Sequence, residues 1–285
     1  MKIAVIGLGR VGMEVYRRLK RETGEWPVTC SEGYDPVLLQ SCNAAVICTP
    51  FSAIVAEARK AVAHGIRAIF TCTEDWGIGA QLKRLPVHVE PHCGLAPGWV
   101  GDMARSGCGH FDRVDSVDLY AGALTEEVDN EYLYWPTWNV EGLIRELSEP
   151  CRVKIRGTIA SVPAREGYRM VRFGDRWYEA FYTAGGAEGF LDEATTIPNI
   201  AYRSLRYPGH LDALEKNGLS GLCDLPVYHG TEKVLAAVTV KGLVDRELRA
   251  MTIVKNFTGV AEATAEHLVS RVMAWTKKEA RLSTG

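Results

Sequence analysis

Three glycines near the start of the chain have the spacing of a phosphate-binding turn. They follow the β-branched run Ile3 to Ile6 and lead into a helix-like stretch from Met13 to Arg21. In Gly7-x-Gly9-x-x-Gly12 the first glycine permits a sharp bend, the second lets the backbone approach a pyrophosphate, and the third lets the helix pack closely on the strand. The N–H groups at the start of that helix then hold the phosphates. The residues predicted to form this dinucleotide site are Gly7, Leu8, Gly9, Arg10, Val11 and Gly12.

The choice between NAD and NADP depends on a side chain about 20 residues beyond such a turn. Glu32 lies at that distance from Gly12, and a carboxylate there bonds the adenosine ribose hydroxyls and repels a 2′-phosphate, which favours NAD. Asp35 is a nearby alternative, and both side chains also fit as solvated turn residues. Arg10 in the turn could instead meet a 2′-phosphate, so NADP stays open.

Other polar residues follow predicted strands at the edge where open α/β sheets bind ligands. Thr49 and Pro50 come at the end of the strand Ala44 to Thr49 and are predicted to line the cofactor. Glu74 follows the strand Arg67 to Thr71 and is predicted to position the nicotinamide or to hold a substrate ammonium group, as part of the catalytic set. The alternative for these residues is a helix cap or a turn.

The elements that must position these residues change character near Cys93. Before it, short strands such as Pro27 to Cys30 alternate with helices, and only Val37 to Ser41 lies where a full nucleotide-binding half carries a further helix and strand. After it, strands are separated by turns rather than by helices. These strands are predicted at Val114 to Tyr120, Val153 to Thr158, Tyr168 to Phe173, Trp177 to Tyr182, and in a hairpin of Val234 to Leu243 and Leu248 to Lys255.

The sequence therefore predicts the α/β class, with a trimmed Rossmann-type parallel-sheet domain and an antiparallel α+β domain for substrate and dimerisation. The first domain is predicted over residues 1–97 and the second over 98–258. A long amphipathic helix within 259–285 is predicted to return to the first domain.

Composition is that of an ordinary globular protein, with 285 residues, 47% hydrophobic residues and a net charge of −2. The sequence lacks the acidic or basic excess that would indicate a nucleic-acid partner. Its longest apolar runs fall far short of the roughly 20 residues that cross a bilayer. No metal site is expected, because the eight cysteines have no C-x-x-C pair and Pro91 interrupts the spacing of His88 and His92. We expect a reduced cytoplasmic protein without a secretory signal.

A series of segments along the chain carries a family resemblance. They are Pro91–Gly98, Leu119–Leu124, Trp138–Glu146, Glu179–Thr183 and Leu205-Arg206-Tyr207-Pro208-Gly209-His210. In this order they resemble the saccharopine reductase and lysine 6-dehydrogenase family, and the last segment is the most specific. The shortened stretch between Glu32 and Ala44 and the loop from Tyr182 to Gly186 depart from the family pattern. The adenosine contacts and the substrate are therefore not carried over from the family.

The resemblance implies hydride transfer between nicotinamide and a carbon bonded to nitrogen, in an amino-acid-derived amine or imine. Such a site must hold one cofactor face, fix a carboxylate and manage a proton on nitrogen. The resemblance also implies a homodimer formed through the second domain.

Within this resemblance, Arg206 is the candidate for the substrate carboxylate, because its planar fork binds carboxylates bidentately. A surface ion pair is the alternative. His210 is the candidate for the proton because imidazole titrates near neutrality, with Tyr207 as the second option and a helix N-terminal position as the alternative. Further candidates for substrate contact are Asp102, His92 and Thr183.

Two other functions compete with this interpretation. Cys48-Thr49-Pro50 would suit a sugar-type oxidoreductase, although the segment from Arg206 to His210 would not. The shortened nucleotide domain would suit a non-catalytic relative that binds nucleotide as a sensor or an assembly subunit.

Overall fold

The computed structural model describes residues 1–24, 28–32, 35–40, 42–126 and 128–283. Contacts divide the chain into two units. The first unit comprises residues 1–94 and 261–285, and the second comprises residues 95–260.

Short strands and helices alternate in the N-terminal part of the first unit. They are β1 (Ile3–Ile6), α1 (Arg10–Thr23), β2 (Val28–Ser31), α2 (Pro36–Leu39), β3 (Ala44–Ile47), α3 (Phe51–Ala63), β4 (Ala68–Thr71), α4 (Trp76–Leu82) and β5 (His88–Glu90).

Longer strands dominate the second unit, after which one helix ends the described chain. These elements are α5 (Trp99–Cys108), β6 (Arg113–Thr125), α6 (Val140–Ser148), β7 (Cys151–Ile155), β8 (Thr158–Val162), β9 (Arg169–Phe173), β10 (Arg176–Tyr182), α7 (Phe190–Glu193), β11 (Asn199–Arg206), α8 (His210–Asn217), a 3₁₀ helix (Ser220–Asp224), β12 (Glu232–Val244), β13 (Glu247–Phe257) and α9 (Val260–Ser283).

The sheet of the first unit has five parallel strands in the order β2-β1-β3-β4-β5. Every residue of β1, β3 and β4 is buried, which agrees with their continuous apolar sequence, since parallel strands are covered on both faces. The strand order reverses between β1 and β3. Between β2 and β3 the described residues hold only α2, of four residues, which is the shortened stretch that the sequence indicates. Pro27, in the predicted second strand, lies outside the described residues.

The core of the first unit joins its sheet to the last helix of the chain. Leu268, Val272 and Trp275 of α9 pack in one apolar cluster with residues of β1, β3 and β4. The rings of Phe70 and Trp275 meet edge to face at 6.1 Å between centroids. This packing builds one core from residues near both ends of the described chain.

The second unit is built on one eight-stranded sheet in the order β13-β12-β6-β11-β10-β9, with β7 on β11 and β8 on β7. The predicted hairpin is confirmed: Val244 pairs with Glu247 across Asp245 and Arg246, whose φ angles are 51° and 67°. These positive φ values match the twist that two-residue hairpin turns require. The predicted α/β class with a parallel sheet and a second sheet domain is confirmed.

Two details of the predicted second domain are wrong. The sheet is mixed rather than antiparallel, because β6 and β11 pair in parallel. Strand propensity does not specify direction, and these two strands are far apart in sequence. The predicted strand Val153 to Thr158 is also divided, since Arg156 and Gly157 have φ angles of 50° and 85° and turn the chain between β7 and β8.

Helices α6 and α8 cover β10 on one face of this sheet. Leu143 and Leu147 of α6 share a buried cluster with Phe181 of β10 and with Leu211 and Leu214 of α8. This packing holds the start of α8 and the buried side of α6 close to the carboxyl end of β11.

Burial of α9 predicts a large difference between two leucines of that helix. Leu268 is fully buried, whereas Leu282 is 70% exposed. We expect Leu268→Ala to lower the free energy of unfolding by about 2–5 kcal/mol, because it removes buried methyl groups and leaves a cavity. Leu282→Ala is the control and should change it by less than about 0.5 kcal/mol. Urea denaturation measures both, and equal effects would contradict the packing of α9.

Candidate functional site

The glycine turn is shaped by two close backbone approaches. Gly7 has φ +94°, and a Cβ on it would lie 2.6 Å from the carbonyl oxygen of Cys48. A Cβ on Gly12 would lie 1.8 Å from the carbonyl oxygen of Gly7. A Cβ on Gly9, by contrast, would meet nothing within 4 Å. The first and third glycines are therefore needed by the fold itself, and the second leaves open space in front of the backbone.

Helix α1 begins at this open space without a side-chain cap. Gly9 is its N-cap residue and supplies no side-chain cap, and the first turn holds no acidic residue. The first N–H groups of a helix have no partner within the helix and carry the positive end of its dipole. Leu8 and Val11 are half-buried around this end, and Arg10 is exposed as the first helical residue. The arrangement suits an anionic group such as a pyrophosphate.

The turn lies at the point where the strand order of the first sheet reverses. The Cys48 N–H donates to the carbonyl of Ile6 at 2.7 Å, which joins the end of β3 to the end of β1. Thr49 and Pro50 follow at once, so they share the carboxyl edge with the glycine turn. Open α/β sheets bind ligands at this reversal. The structure thus brings the predicted cofactor residues of β1 and β3 to one edge.

Glu32 stands at the same edge, on the other side of β1. The Gly7 N–H donates to the carbonyl of Ser31 at 2.8 Å, and the exposed Glu32 follows Ser31 directly. The alternative residue, Asp35, accepts a hydrogen bond from the Val37 N–H at 2.9 Å and so caps the start of α2. This geometry favours Glu32 over Asp35 as the carboxylate beside the turn.

Glu74 follows β4 at this edge, and its charge acts on the half-buried thiol of Cys72. Burial, and then the charge of Glu74, raise the pKa of Cys72 to about 12. Burial, and then the proximity of Cys72, raise the pKa of Cys48 well above its ordinary value. Both thiols stay protonated at neutral pH, and nucleophilic chemistry requires the thiolate. Neither thiol is therefore available as a nucleophile at neutral pH.

His92 lies in the first unit and has a local role. Its Nδ1 is 2.8 Å from the carbonyl oxygen of Thr73, and its ring fills the space that a Cβ on Gly79 would need, at 2.6 Å. His88 Nε2 is 2.8 Å from Glu90 Oε1. No cluster of three or more His, Cys, Asp or Glu side chains among the described residues could hold a metal ion. None of the helices in the described ranges is long and apolar enough to cross a membrane.

Arg206 is the centre of a buried polar cluster in the second unit. It ends β11, is 3% exposed, and its guanidinium lies over the ring of Tyr134 at 4.6 Å. Its Nη2 is 3.7 Å from Glu146 Oε1, and its Nη1 donates to the carbonyl of Leu205 at 2.9 Å. Its Nε is buried and has no partner among the described residues. This guanidinium therefore keeps one buried donor that no described residue satisfies.

A chain of hydroxyl groups leads from Thr183 to the same cluster. Thr183 Oγ1 is 2.8 Å from Ser204 Oγ, and the hydroxyl of Tyr202 is 3.3 Å from the same atom. Ser204 in turn donates to Glu146, the carboxylate beside Arg206. Thr183, Arg206 and Glu146 are thus connected through one buried network.

His210 joins the cluster from the first residue of α8. Its ring is fully buried, and it lies 5.1 Å from the ring of Tyr134. Its Nδ1 is 2.6 Å from the carbonyl oxygen of Tyr132, which can only accept, so Nδ1 carries the proton. Its Nε2 is buried without a partner among the described residues. Burial, and then the charge of Arg206, lower the pKa of His210 to about 3, so the imidazole is neutral at physiological pH.

Glu179 holds the start of α8 against the sheet. Its carboxylate accepts from the N–H groups of Gly209, at 3.0 Å, and Leu211, at 2.6 Å. Burial raises the pKa of this carboxyl, although both hydrogen bonds act in the opposite direction. These two hydrogen bonds hold the backbone on both sides of His210, and so they help to position its imidazole.

Two predicted substrate or catalytic residues lie away from this cluster. The Tyr207 hydroxyl donates to the carbonyl of Thr125 at 2.9 Å, and its ring stacks on Tyr178. Asp102 lies in the first turn of α5 and accepts from Arg105 at 2.6 Å. The structure does not bring either of them to Arg206, and their roles stay predictions.

Glu146 is the site residue that sequence reasoning missed. It lies on α6 between Leu143 and Leu147, which are both buried, so helical spacing places a carboxylate at the border of the apolar stripe. That pattern could have singled it out. Its partners Ser204 and Arg206 come from β11, and only the folded chain shows that they meet.

The open space at Gly9 gives a prediction that separates nucleotide binding from folding. We expect Gly9→Asp to weaken NADH binding at least about 100-fold, because it places bulk and negative charge against the pyrophosphate. Its stability should not fall, since aspartate is a favoured N-cap residue. Fluorescence titration and thermal unfolding measure the two effects.

Gly9→Asn is the matched control, because it adds the same bulk without the charge and should bind more tightly than Gly9→Asp. Gly12→Ala should instead lower the stability of the fold, since its Cβ would overlap the Gly7 carbonyl. Wild-type affinity in Gly9→Asp would exclude the turn as the nucleotide site.

Burial of a neutral His210 predicts a pH dependence of stability. Between its ordinary pKa of 6.5 and about 3, the unfolded imidazole binds a proton that the folded one does not. The free energy of unfolding should therefore fall as pH falls through this window, by up to about 1.4 kcal/mol per pH unit. His210→Asn should remove this slope, whereas the exposed His229→Asn should keep the wild-type profile. Denaturation series between pH 4 and pH 7 measure it, and an unchanged slope in His210→Asn would contradict the assignment.

No model of a known protein family matches the chain. Solved structures share its fold. Saccharopine dehydrogenase (L-Glu forming) from Saccharomyces cerevisiae has a TM-score of 0.66 and 13% identity, covering 97% of this chain and 90% of that one. Homospermidine synthase from Legionella pneumophila, in complex with NAD, has a TM-score of 0.62 and 11% identity, covering 95% and 83%. An engineered D-amino acid dehydrogenase has a TM-score of 0.52 and 10% identity, covering 99% and 90%.

Identities of 10–13% show a common fold and leave the family open. The resemblance to the saccharopine reductase and lysine 6-dehydrogenase family, carried by the sequence segments, stays a prediction. What these comparisons establish is a fold shared with these structures along nearly the whole length of the chain.

Proposed function

We propose that the protein is a nicotinamide-dependent oxidoreductase that acts at a carbon–nitrogen bond of an amino-acid-derived amine or imine. One observation is the main support for nucleotide binding. The uncapped start of α1 faces the open space at Gly9, at the strand reversal where this class of sheet binds its ligands. The homospermidine synthase that shares the fold holds NAD, which supports the same assignment.

NAD is the preferred form in this proposal. Glu32 is exposed and follows the residue that is hydrogen-bonded to Gly7, so its carboxylate stands beside the turn. A carboxylate accepts hydrogen bonds from ribose hydroxyls and repels a 2′-phosphate. Arg10 is the residue that would favour NADP, and the neighbouring carboxylate opposes it.

The nicotinamide end of the cofactor is assigned to the residues after β3 and β4. When bound, the nicotinamide supplies or accepts the hydride. Thr49 and Pro50 are proposed to line its ring, and Glu74 to orient its amide or to hold a substrate ammonium group. The buried Oγ1 of Thr49, without a partner among the described residues, is a hydrogen-bonding group available for this role.

Arg206 is proposed to hold the substrate carboxylate. Its buried Nε has no protein partner among the described residues, and an unpaired buried donor is costly. A carboxylate oxygen is the acceptor that a guanidinium binds best. The Tyr134 ring under the guanidinium fixes the plane of the fork and so selects the direction of approach.

Substrate binding at Arg206 would also change the basicity of His210. Burial is the first cause of its low pKa, and the charge of Arg206 is the second. A carboxylate bound to Arg206 would offset that second cause and raise the pKa of His210 from about 3. The imidazole would then approach the range in which it can accept the proton released from the substrate nitrogen. In this proposal His210 is a base whose pKa depends on whether a substrate carboxylate is bound to Arg206.

The experiment is a titration of the purified protein with NADH and NADPH, followed by turnover with amines and NAD, and with oxo acids, amines and NADH. We expect NADH to bind more tightly than NADPH and Glu32→Ser to reduce that preference. Arg206→Lys should raise KM for a carboxylate substrate at least about tenfold, because lysine lacks the planar fork, while NADH affinity stays the same.

Arg203→Lys is the matched control, because Arg203 lies on the same strand, is equally buried, and bonds Asp118, Tyr182 and Gly167 instead. It should leave KM unchanged. Absence of binding to either nucleotide would contradict the proposal. Nucleotide binding without turnover of any substrate would favour the non-catalytic alternative, which the short α2 supports.

A further inference from the structure

A cavity of about 370 Å³ lies in the second unit, and Arg206 is not among the residues that line it. It is bounded by the end of α6, the proline before β7, the end of β8 and the residues that follow β8. Ser161 and Pro163 are exposed at its rim, so small molecules can reach it. Cavities of this size accommodate small organic ligands.

The lining of this cavity combines an apolar wall with one cation. Leu147, Pro150 and Val162 contribute apolar surface, and Arg165 is the charged residue. Of the described residues that line the cavity, none carries a carboxylate. Ser148 also lines it, but its hydroxyl already donates to the carbonyl of Ile144 at 2.6 Å. The positive charge at the wall therefore has no acidic counterpart within the cavity.

Arg165 holds a backbone conformation that favours glycine. Its φ is +69°, in the left-handed region that side chains with a Cβ seldom adopt. Two hydrogen bonds fix it there, from its N–H to the carbonyl of Tyr182 at 2.7 Å and from the Tyr182 N–H to the carbonyl of Glu166 at 2.8 Å. Its Nε is buried and has no partner among the described residues. Backbone strain held in place by its surroundings often accompanies a binding function.

We infer that this cavity binds a small organic monocarboxylate, with the carboxylate on Arg165 and an apolar body against Leu147, Pro150 and Val162. A carboxylate matches the planar fork of arginine, and it would neutralise the one cation among the described residues that line the cavity. An amino acid fits less well, because the cavity offers no acid for its ammonium group. Inorganic phosphate also fits less well, because it would leave the apolar wall unfilled.

The test uses benzoate as the probe and benzamide as its neutral counterpart. Isothermal titration of the full chain should show saturable benzoate binding at one site, with benzamide at least tenfold weaker. Arg165→Gly should weaken benzoate binding at least tenfold. Its melting temperature should not fall, because glycine accepts the left-handed conformation without strain. A loss of binding therefore cannot be ascribed to unfolding.

Two further variants sharpen the result. Arg156→Gly is the matched control, since Arg156 is also an arginine at positive φ, 50°, but is exposed and does not line the cavity. It should bind benzoate as the wild type does. Ala164→Trp, which fills the cavity from its own wall, should abolish binding.

Several outcomes would overturn the inference. They are absence of saturable benzoate binding to the wild type, equal binding by Arg165→Gly, and tighter binding of inorganic phosphate than of benzoate. A lower melting temperature of Arg165→Gly with no benzoate binding to the wild type would show that Arg165 contributes to the stability of the fold instead. NADH binding is a separate readout that these variants should leave unchanged, so this inference can fail without the proposed function.

Discussion

The first unit depends on how closely α1 begins beside the end of β1. Without side chains at Gly7 and Gly12, the helix packs on the strand with one backbone directly against the other. That approach presents the N–H groups of the first turn at the edge of the sheet, and it places the turn against the Cys48 carbonyl. The ends of β1, β2 and β3 are consequently joined at one place by hydrogen bonds through Gly7 and Cys48. Any larger residue at Gly7 or Gly12 would separate these ends.

Two buried arginines on β11 differ in how fully their guanidinium groups are hydrogen-bonded. Arg203 donates to Asp118 at 2.7 Å, to the Tyr182 hydroxyl at 2.9 Å and to the carbonyl of Gly167 at 2.8 Å. Such a fully bonded cation contributes to the fold without offering anything to a ligand. Arg206, three residues later, has Glu146 at 3.7 Å and an Nε without a partner among the described residues. At similar burial, Arg203 therefore has a structural role, whereas Arg206 keeps a donor without a partner among the described residues.

Local features of the molecule could be predicted from the sequence, and features that join distant segments could not. The turn after β1 and the hairpin at Asp245 and Arg246 depend on neighbouring residues, so composition and spacing suffice to place them. The parallel pairing of β6 with β11 joins segments far apart in the chain, and strand propensity carries no information on direction. For the same reason the motif from Arg206 to His210 did not show that Tyr207 has other neighbours, or that Glu146 completes the cluster. The low pKa of His210 arises from burial, which residue type alone does not indicate.

The position of α9 has a consequence for how the chain folds during synthesis. The residues of the second unit leave the ribosome before α9 does, so that unit can fold while the first is still incomplete. One face of the first sheet, with Val5, Val46 and Phe70, is covered only in part, by α1, until Leu268 and Trp275 have been made. Exposed apolar surface on a nascent chain promotes aggregation and recruits chaperones. The order of elements along the chain thus places completion of the core of the first unit after synthesis of the second unit.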